Sequence, residues 1–413
     1  MRILVATDQW FPDRLGGVAR VATDTARGWA ARGHEVVVIA PQHESVSDEE
    51  TSDAGALRLL RVLPRGRVPQ TLRDPSATRR WASRLGDRRF DVLVAHGSTT
   101  ACGLLAAQLG SPLVYVFHAD AAKEARYLRA TLRPGAEWLA AVAFERRLRR
   151  LTRHALRAAE QVIALSDFSR GLLFASEPAV AGHATLVSGA VDTRRFNPAD
   201  RDEAREALGV SAATSLVLTV RRLEPRMGLE NLLTAAERLY DVPGLRIVVA
   251  GSGGRGSELS ALRDRLGLEE RVDLIGRVSD GDLALWYRAA DLFVLPTVAY
   301  EGFGLATAEA LASGTPVVGT RVGATPELLE PLDPRLLARG TGPEELAEAI
   351  RTGLRLATPE FRARCRDYAL ARLSWETVLP EWERVLEEAV RRHRLERAPE
   401  PSSTAAPGVV ETR

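Results

Sequence analysis

Glu301 and Glu309 stand eight residues apart in EGFGLATAE, with Gly302 and Gly304 around one aromatic, Phe303, and an alanine-rich run behind them. A carboxylate pair can serve acid/base chemistry, metal binding or neither, so the neighbours decide. In ADLFVLPTVAYEGFGLATAEALASGTPVVGT an apolar strand ends at Leu295, a loop carries Glu301, and a helix is expected from near Leu305. The two glycines let backbone approach a ligand closely. A helix N-terminus has free amides and a partial positive charge, which suits a phosphate. Glu301 then precedes a phosphate-binding helix end, and Glu309 lies a little over one turn inside it. Carboxylates beside a bound phosphate repel it unless each has hydroxyls to accept from. A nucleotide sugar supplies hydroxyls on both sides of its diphosphate, which gives Glu301 the sugar and Glu309 the ribose.

GSGGRG, Gly251 to Gly256, matches G-x-G-x-x-G after an apolar strand and before the helical pattern ELSALRDRL, with Asp273 ending a following strand. This is the spacing of a dinucleotide fingerprint. Its place, on the second βα unit of the second half, argues against one, because such loops usually follow a lobe's first strand.

The elements that would position these residues alternate along the chain. RILVAT, HEVVVIA, DVLVAH, PLVYVFH and QVIALS in the first half, and SLVLTV, LRIVVAG, RVDLIG, DLFVLP and PVVGT in the second, read as strands buried on both faces. Helical spacers between them imply right-handed βαβ crossovers and an α/β fold of parallel sheets. At 413 residues the chain exceeds one ordinary core. The strand series restarts at Ser215 after a polar linker, which places a lobe boundary near residues 193 to 213. Ligands of open parallel sheets bind at the strand C-termini, here around a common cleft.

Composition excludes several classes. With 45% hydrophobic and 27% charged residues the chain is an ordinary globular protein, and 56 basic against 54 acidic residues, a formal net charge of +2, demand no nucleic-acid partner. Lys123 is the only lysine, which fits an arginine-favouring, GC-rich genome and speaks against a Schiff-base cofactor. Cys102 and Cys365 lie far apart, outside any zinc or redox spacing, and suit a reducing cytoplasm. MRILVATDQW reads as a first strand and not a signal peptide. No apolar run approaches the roughly 18 residues of a spanning helix. Arg126 to Arg157, with Trp138, Leu139, Val142, Leu148 and Leu151 at helical spacing, reads as a helix with its apolar stripe on the first lobe; contact with an anionic membrane is the less favoured alternative. The Pro/Ser/Ala-rich end, residues 396 to 413, reads as a disordered tail.

The stretch from Glu301 to Glu309 resembles the E-x7-E motif of the retaining glycosyltransferases of family four, group 1, whose fold is GT-B, and EALASGTPVVGTRVGATPELL continues that pattern. The resemblance covers almost the whole chain. It implies an acceptor-binding Rossmann-like lobe over residues 1–195, a donor-binding lobe over 196–374 and final helices, 375–395, crossing back to the first lobe. It implies that Glu301 contacts donor-sugar hydroxyls, Glu309 the ribose, and the backbone of Gly302, Phe303, Gly304 and Leu305 the sugar and diphosphate. Gly16 and Gly17 match the family's N-terminal glycine loop, facing the diphosphate from the opposite lobe. His118 in YVFHADAAKE matches its histidine beside the donor sugar, although a histidine at a strand end also serves structure alone. VIALSDFSR and SGAVDTRRF also resemble family segments, with Ser188 and Ala190 in place of a more usual Pro and Gly. Gly251 falls beside the donor, and the backbone near Arg277 and Val278 meets the base.

One departure concerns charge. The family commonly has an arginine followed five residues later by a lysine, both gripping the diphosphate; TVRRLEPRMGLENLL has Arg222 but Met227 where the lysine falls. A methionine cannot neutralise phosphate. Arg226 is the candidate replacement. The resemblance implies transfer with retention and no metal or other cofactor, arginine and helix dipole supplying the charge. A GT-B epimerase or phosphorylase, and a non-catalytic nucleotide-sugar sensor, stand as alternatives. The donor base, the sugar and the acceptor stay open, the acceptor among a glycolipid precursor, a sugar or thiol metabolite and an antibiotic intermediate.

Overall fold

The computed structural model describes residues 1–13, 16–42, 47, 49–52, 55–63, 75–85, 89–130 and 133–397. From residue 398 on, the expected tail lies outside the described residues. The first sheet is built from β1 (Arg2–Thr7), β2 (Glu35–Pro41), β3 (Glu49–Ser52), β4 (Leu57–Leu63), β5 (Val92–His96), β6 (Leu113–Phe117), β7 (Gln161–Ala164) and β8 (Ala184–Leu186). Its strand order is β3-β4-β2-β1-β5-β6-β7-β8, and among the described residues only the β3–β4 pair is antiparallel. The second sheet holds β9 (Ser215–Val220), β10 (Leu245–Ala250), β11 (Val272–Gly276), β12 (Leu292–Leu295) and β13 (Val317–Gly319), in the order β11-β10-β9-β12-β13. Every pair in it is parallel. The fold is GT-B.

Each apolar run of the sequence became a strand, because helices on both faces bury its side chains; Ile3, Leu4, Val5, Val217, Leu218, Phe293 and Val294 are wholly buried. The covering helices of the first lobe are α1 (Gly17–Ala31), α2 (Ser76–Arg84), α3 (Ser98–Ala107), α4 (Ala121–Arg129), α5 (Ala136–Ala158) and α6 (Asp167–Ser176). Those of the second are α7 (Arg201–Ala207), α8 (Leu229–Glu237), α9 (Gly256–Arg265), α10 (Asp280–Ala289), α11 (Leu305–Ala312), α12 (Thr325–Leu329), α13 (Pro343–Leu356) and α14 (Pro359–Leu373). The single helix expected across Arg126–Arg157 is two, α4 and α5. Pro134 lacks an amide hydrogen and disfavours helical backbone in the residue before it, so the apolar spacing runs through a break. Leu148 is buried while Leu139 is 63% exposed.

In each sheet a central strand has neighbours whose connections leave in opposite directions. β1 lies between β2 and β5, and β9 between β10 and β12. The loops leaving β9 and β12 therefore part and open a crevice, the usual ligand position in open α/β sheets.

The last helix, α15 (Trp375–Glu396), leaves the second lobe and packs on α1. Ser374 caps it by accepting the Thr377 amide at 3.2 Å. Trp382 is fully buried, with ring centroids 6.3 Å from both Trp29 and Trp375, and its indole N–H donates to the Ser188 carbonyl at 3.2 Å. Arg32 and His34 meet Glu383 from the α1 side at 2.6 and 3.2 Å. Truncating Trp382 to Ala removes this aromatic tie and should destabilise the protein by roughly 3–5 kcal/mol. Chemical denaturation of Trp382→Ala checks this, and an unchanged midpoint would show that α15 holds the lobes by other contacts.

Candidate active site

Glu301 follows a tight lacing of two loops. The short 3-10 turn Pro225–Met227 precedes Gly228 at φ 71. Val298 donates its amide to the Arg226 carbonyl at 2.9 Å, and Arg226 NH1 donates to the Tyr300 carbonyl at 2.8 Å. Tyr300 is held at φ 57, a backbone conformation a bulky residue adopts only when its surroundings enforce it. Next to it the Glu301 carboxylate accepts from Arg221 NH2 at 2.7 Å and from Thr297 Oγ1 at 3.1 Å. Gly302 follows, and its carbonyl accepts from the opposite lobe, Ser166 Oγ at 2.5 Å and Ser169 Oγ at 2.9 Å. A Cβ at Gly302 would stand 2.7 Å from the His118 carbonyl, so the lobes meet backbone to backbone there.

α11 then begins at Leu305 with Gly304 as its N-cap, no capping side chain and no acidic residue in its first turn. α1 begins in the same way at Gly17 behind Gly16. The first amides of both helices lack intrahelical acceptors, and Gly16, Gly17, Gly304 and Leu305 line one interlobe cleft of about 680 Å3. Two positive helix ends therefore open on a shared space from opposite lobes.

Glu309 sits inside α11, 7% exposed. Its carboxylate accepts from Tyr287 Oη at 2.9 Å. Burial pushes its pKa up to about 7 against the opposing pull of Arg20, the Tyr287 hydrogen bond and Arg195. Burial likewise drives the Tyr287 phenol well above its usual range. Arg20, one turn into α1, reaches Asp280 at 2.6 Å across the lobes and lies 3.6 Å over the Phe11 ring. Arg195 closes on the same Asp280 carboxylate.

His118 lies at the end of β6, and its Nε2 is 3.0 Å from Nδ1 of His96, at the end of β5. Burial lowers His118 to about 4; burial and the neighbouring His118 depress His96 as well. Both rings are neutral at pH 7. His96 Nε2 is buried without a partner among the described residues. An orphaned lone pair costs less than an orphaned N–H, which places the His96 proton on Nδ1, donating to His118. His118 Nδ1–H is then the ring donor left for the cleft.

The structure brings His118, Gly16, Gly17, Arg222, Arg226, Gly251, Arg277, Val278, Glu301, Gly302, Phe303, Gly304, Leu305 and Glu309 to the lining of this one cleft. Their surroundings differ. Arg222 is 58% exposed and pairs with Glu224 at 3.1 Å. Arg226 is buried, with NH2 3.1 Å from Glu124 on α4, so its charge is already met across the lobes. Arg221, Arg20, Tyr287 and Asp280 are also in or beside the cleft, and sequence alone did not bring them forward. Arg221 had one available signal: it is the first residue after a central strand, where ligands of such sheets lie. Two glycines of GSGGRG, Gly251 and Gly253, serve backbone packing. A Cβ at Gly251, φ 148, would fall 1.8 Å from the Arg221 carbonyl, and one at Gly253 would fall 2.5 Å from that of Leu223. Asp273 pairs with Arg246 at 2.6 Å. Among the described residues no group of three or more His, Cys, Asp or Glu side chains could hold a metal ion.

Two facing lobes of parallel sheet with an interlobe cleft are the architecture of the GT-B proteins. The family model for Glycosyl transferases group 1 matches residues 200–372 and that for Glycosyltransferase Family 4 matches residues 15–195. The chain belongs to the group 1, family four glycosyltransferases. It is 40% identical over 200 residues to the D-inositol 3-phosphate glycosyltransferase of Mycobacterium tuberculosis, a match covering 46% of this chain and 41% of that protein. The chain thus spans about 41% of the length of the curated relatives it matches. Sucrose-phosphate synthase from Thermosynechococcus elongatus superposes with a TM-score of 0.78 at 20% identity, covering 95% of this chain and 100% of that one. Anabaena HepE in complex with UDP and glucose superposes at 0.72 with 21% identity, covering 94% and 100%. No helix among the described residues is long and apolar enough to cross a membrane.

The raised Glu309 pKa has a definite sign. Its folded value, about 7, lies above its ordinary 4.5, so unfolding releases a proton between the two and stability falls as pH rises across that window. The full effect is on the order of 3 kcal/mol. Asp24, pushed up to about 6 by burial, acts with the same sign. Glu309→Gln should therefore flatten part of the fall, shown by the difference between wild-type and variant denaturation midpoints from pH 4.5 to 8. Parallel pH profiles would remove Glu309 as a titrating group.

Proposed function

We propose that this chain transfers a sugar from a nucleoside diphosphate donor to a small acceptor, with retention at the anomeric carbon and without a metal. The observation that carries this reading is the pair of uncapped helix N-termini, α1 and α11, on one cleft, flanked by two carboxylates. The amides suit a diphosphate. Glu301, fixed by Arg221 and Thr297, accepts from sugar hydroxyls, and Glu309 accepts from the ribose. Ionisation of Glu309 is then favoured when hydroxyls replace part of the hydration it lost. Base recognition falls to the backbone at Arg277 and Val278, beside α10.

In the transfer, the bond from the anomeric carbon to the phosphate oxygen breaks and the acceptor oxygen or sulfur bonds to that carbon from the same face. The acceptor proton passes to the leaving phosphate. Negative charge developing on the diphosphate meets helix amides and arginines already in place, which lowers the barrier without reorganisation. Neutral His118 donates from Nδ1 to a sugar hydroxyl on the first-lobe side and orients the ring. The names of the similar proteins support the class: one relative is named a D-inositol 3-phosphate glycosyltransferase, and a GT-B neighbour was solved with UDP and glucose. A small polyol or its phosphate is accordingly the first acceptor class to test.

Calorimetry with UDP, GDP, ADP and dTDP should find one that binds. Against that ligand Glu309→Ala should cost about 1.5–3 kcal/mol of affinity, while Glu301→Ala should leave the nucleotide close to wild type and reduce turnover of the full donor. Equal loss of nucleotide affinity in both would contradict the assignment of sugar to Glu301 and ribose to Glu309. His118→Ala should bind donor normally and turn over slowly; unchanged turnover would make His118 structural.

A further inference from the structure

We infer that Arg221, seated on Met227, supplies the diphosphate-binding cation that the methionine at position 227 cannot. The inference rests on the function proposed above and deepens it. Met227 stands where the related pattern has a lysine, and its side chain is 4% exposed, so it cannot itself offer a polar group to the cleft. Arg221 NH2 lies 3.0 Å from Met227 Sδ, 2.7 Å from Thr297 Oγ1 and 2.7 Å from Glu301 Oε2. The guanidinium has thus been brought to the neighbourhood a lysine at 227 would occupy, and methionine's soft, flexible side chain accommodates it. Arg221 is 8% exposed at its side chain and lines the cleft.

Its nitrogens divide the work. NH2 is saturated by protein. Nε is buried and has no partner among the described residues. NH1 makes no hydrogen bond to a described residue and is absent from the buried unpartnered atoms, which leaves it to the cleft. A buried guanidinium with unmet donors seeks an anion beyond the one carboxylate it has, because orphaned charged donors are costly. The diphosphate held by the α11 amides is such an anion. Arg226, the nearer candidate by sequence, is committed to Glu124 and to the Tyr300 carbonyl, and so holds the Glu301 loop.

The seat makes a swap testable. Calorimetry compares the nucleoside diphosphate that binds best among UDP, GDP, ADP and dTDP with its unphosphorylated nucleoside. Arg221→Ala should weaken the diphosphate about tenfold or more and leave the nucleoside unchanged. Met227→Lys alone should also weaken it, because an ammonium is forced against the guanidinium. Arg221→Ala combined with Met227→Lys should recover most of the loss, the lysine taking the vacated place. Met227→Lys retains Arg221 and carries the test if Arg221→Ala does not fold. Tighter diphosphate binding in Met227→Lys, unaltered binding in Arg221→Ala, or a double variant no better than Arg221→Ala would each overturn the inference while the functional reading stands. A wild-type protein that binds none of the four diphosphates would overturn both.

Discussion

Two helix N-termini with unmet amides, one from each lobe, are turned onto the same cleft, and most of the surrounding structure holds that arrangement. Neither α1 nor α11 spends a side chain on capping itself, a property they share with α3, α5 and α8, while α6, α10 and α15 are capped by Ser166, Ser279 and Ser374. What sets α1 and α11 apart is that both open on the interlobe cleft, and on the proposed reading their first amides are left for an anion from outside the chain. Because half of the site lies on each lobe, the lobes must be held in register by contacts that carry no chemistry of their own.

Several of those contacts are polar. The Gly302 carbonyl is held by Ser166 and Ser169, and Glu327 on α12 accepts the Asp167 and Phe168 amides at 2.7 Å each, capping α6 from the other lobe. Arg20 and Arg195 converge on Asp280, and Arg226 reaches Glu124. Water can replace such bonds at little net cost, unlike an apolar seam, so they fix alignment without fusing the lobes. The apolar tie lies elsewhere, where Trp382 sits between Trp29 and Trp375. On the proposed reading, division of the work in this way suits a cleft that admits and releases a nucleotide sugar. The Trp cluster keeps the lobes together, and the exchangeable bonds around Gly302 set how they meet.

The parallel core was legible because strands buried on both faces leave unbroken apolar runs. What escaped notice lacked that signal. β4 reads LRLLRVL, and its Arg61 is a charge inside the sheet, made tolerable by Asp13 at 2.6 Å and Glu50 at 2.9 Å. β3 is the polar edge strand EETS, and β8 is three residues long. In the site, motif residues were legible because glycine spacing and paired carboxylates leave a local mark. Arg221 and Tyr287 were not, because their meaning is a distance: Arg221 meets Glu301 across 80 positions and Tyr287 meets Glu309 across 22. An arginine beside another arginine and a tyrosine on an amphipathic helix look like surface and core until the fold closes those gaps.

A chain with Lys123 as its only lysine must meet its anions with arginine, and the two cations differ in what they can hold. An ammonium is a point charge, while a guanidinium is a planar fork whose arms act in different directions. At position 221 one arm is fixed by Glu301, Thr297 and the Met227 sulfur. On the proposed reading the other arm meets the diphosphate, so a single rigid group joins the carboxylate that holds the sugar to the phosphate that leaves it. A shift of the diphosphate as charge develops would then be felt at Glu301 through that plane. The methionine at 227 is therefore consistent with an active site: the cation entered from the neighbouring strand end, and a second positive charge at 227 would have no room beside it.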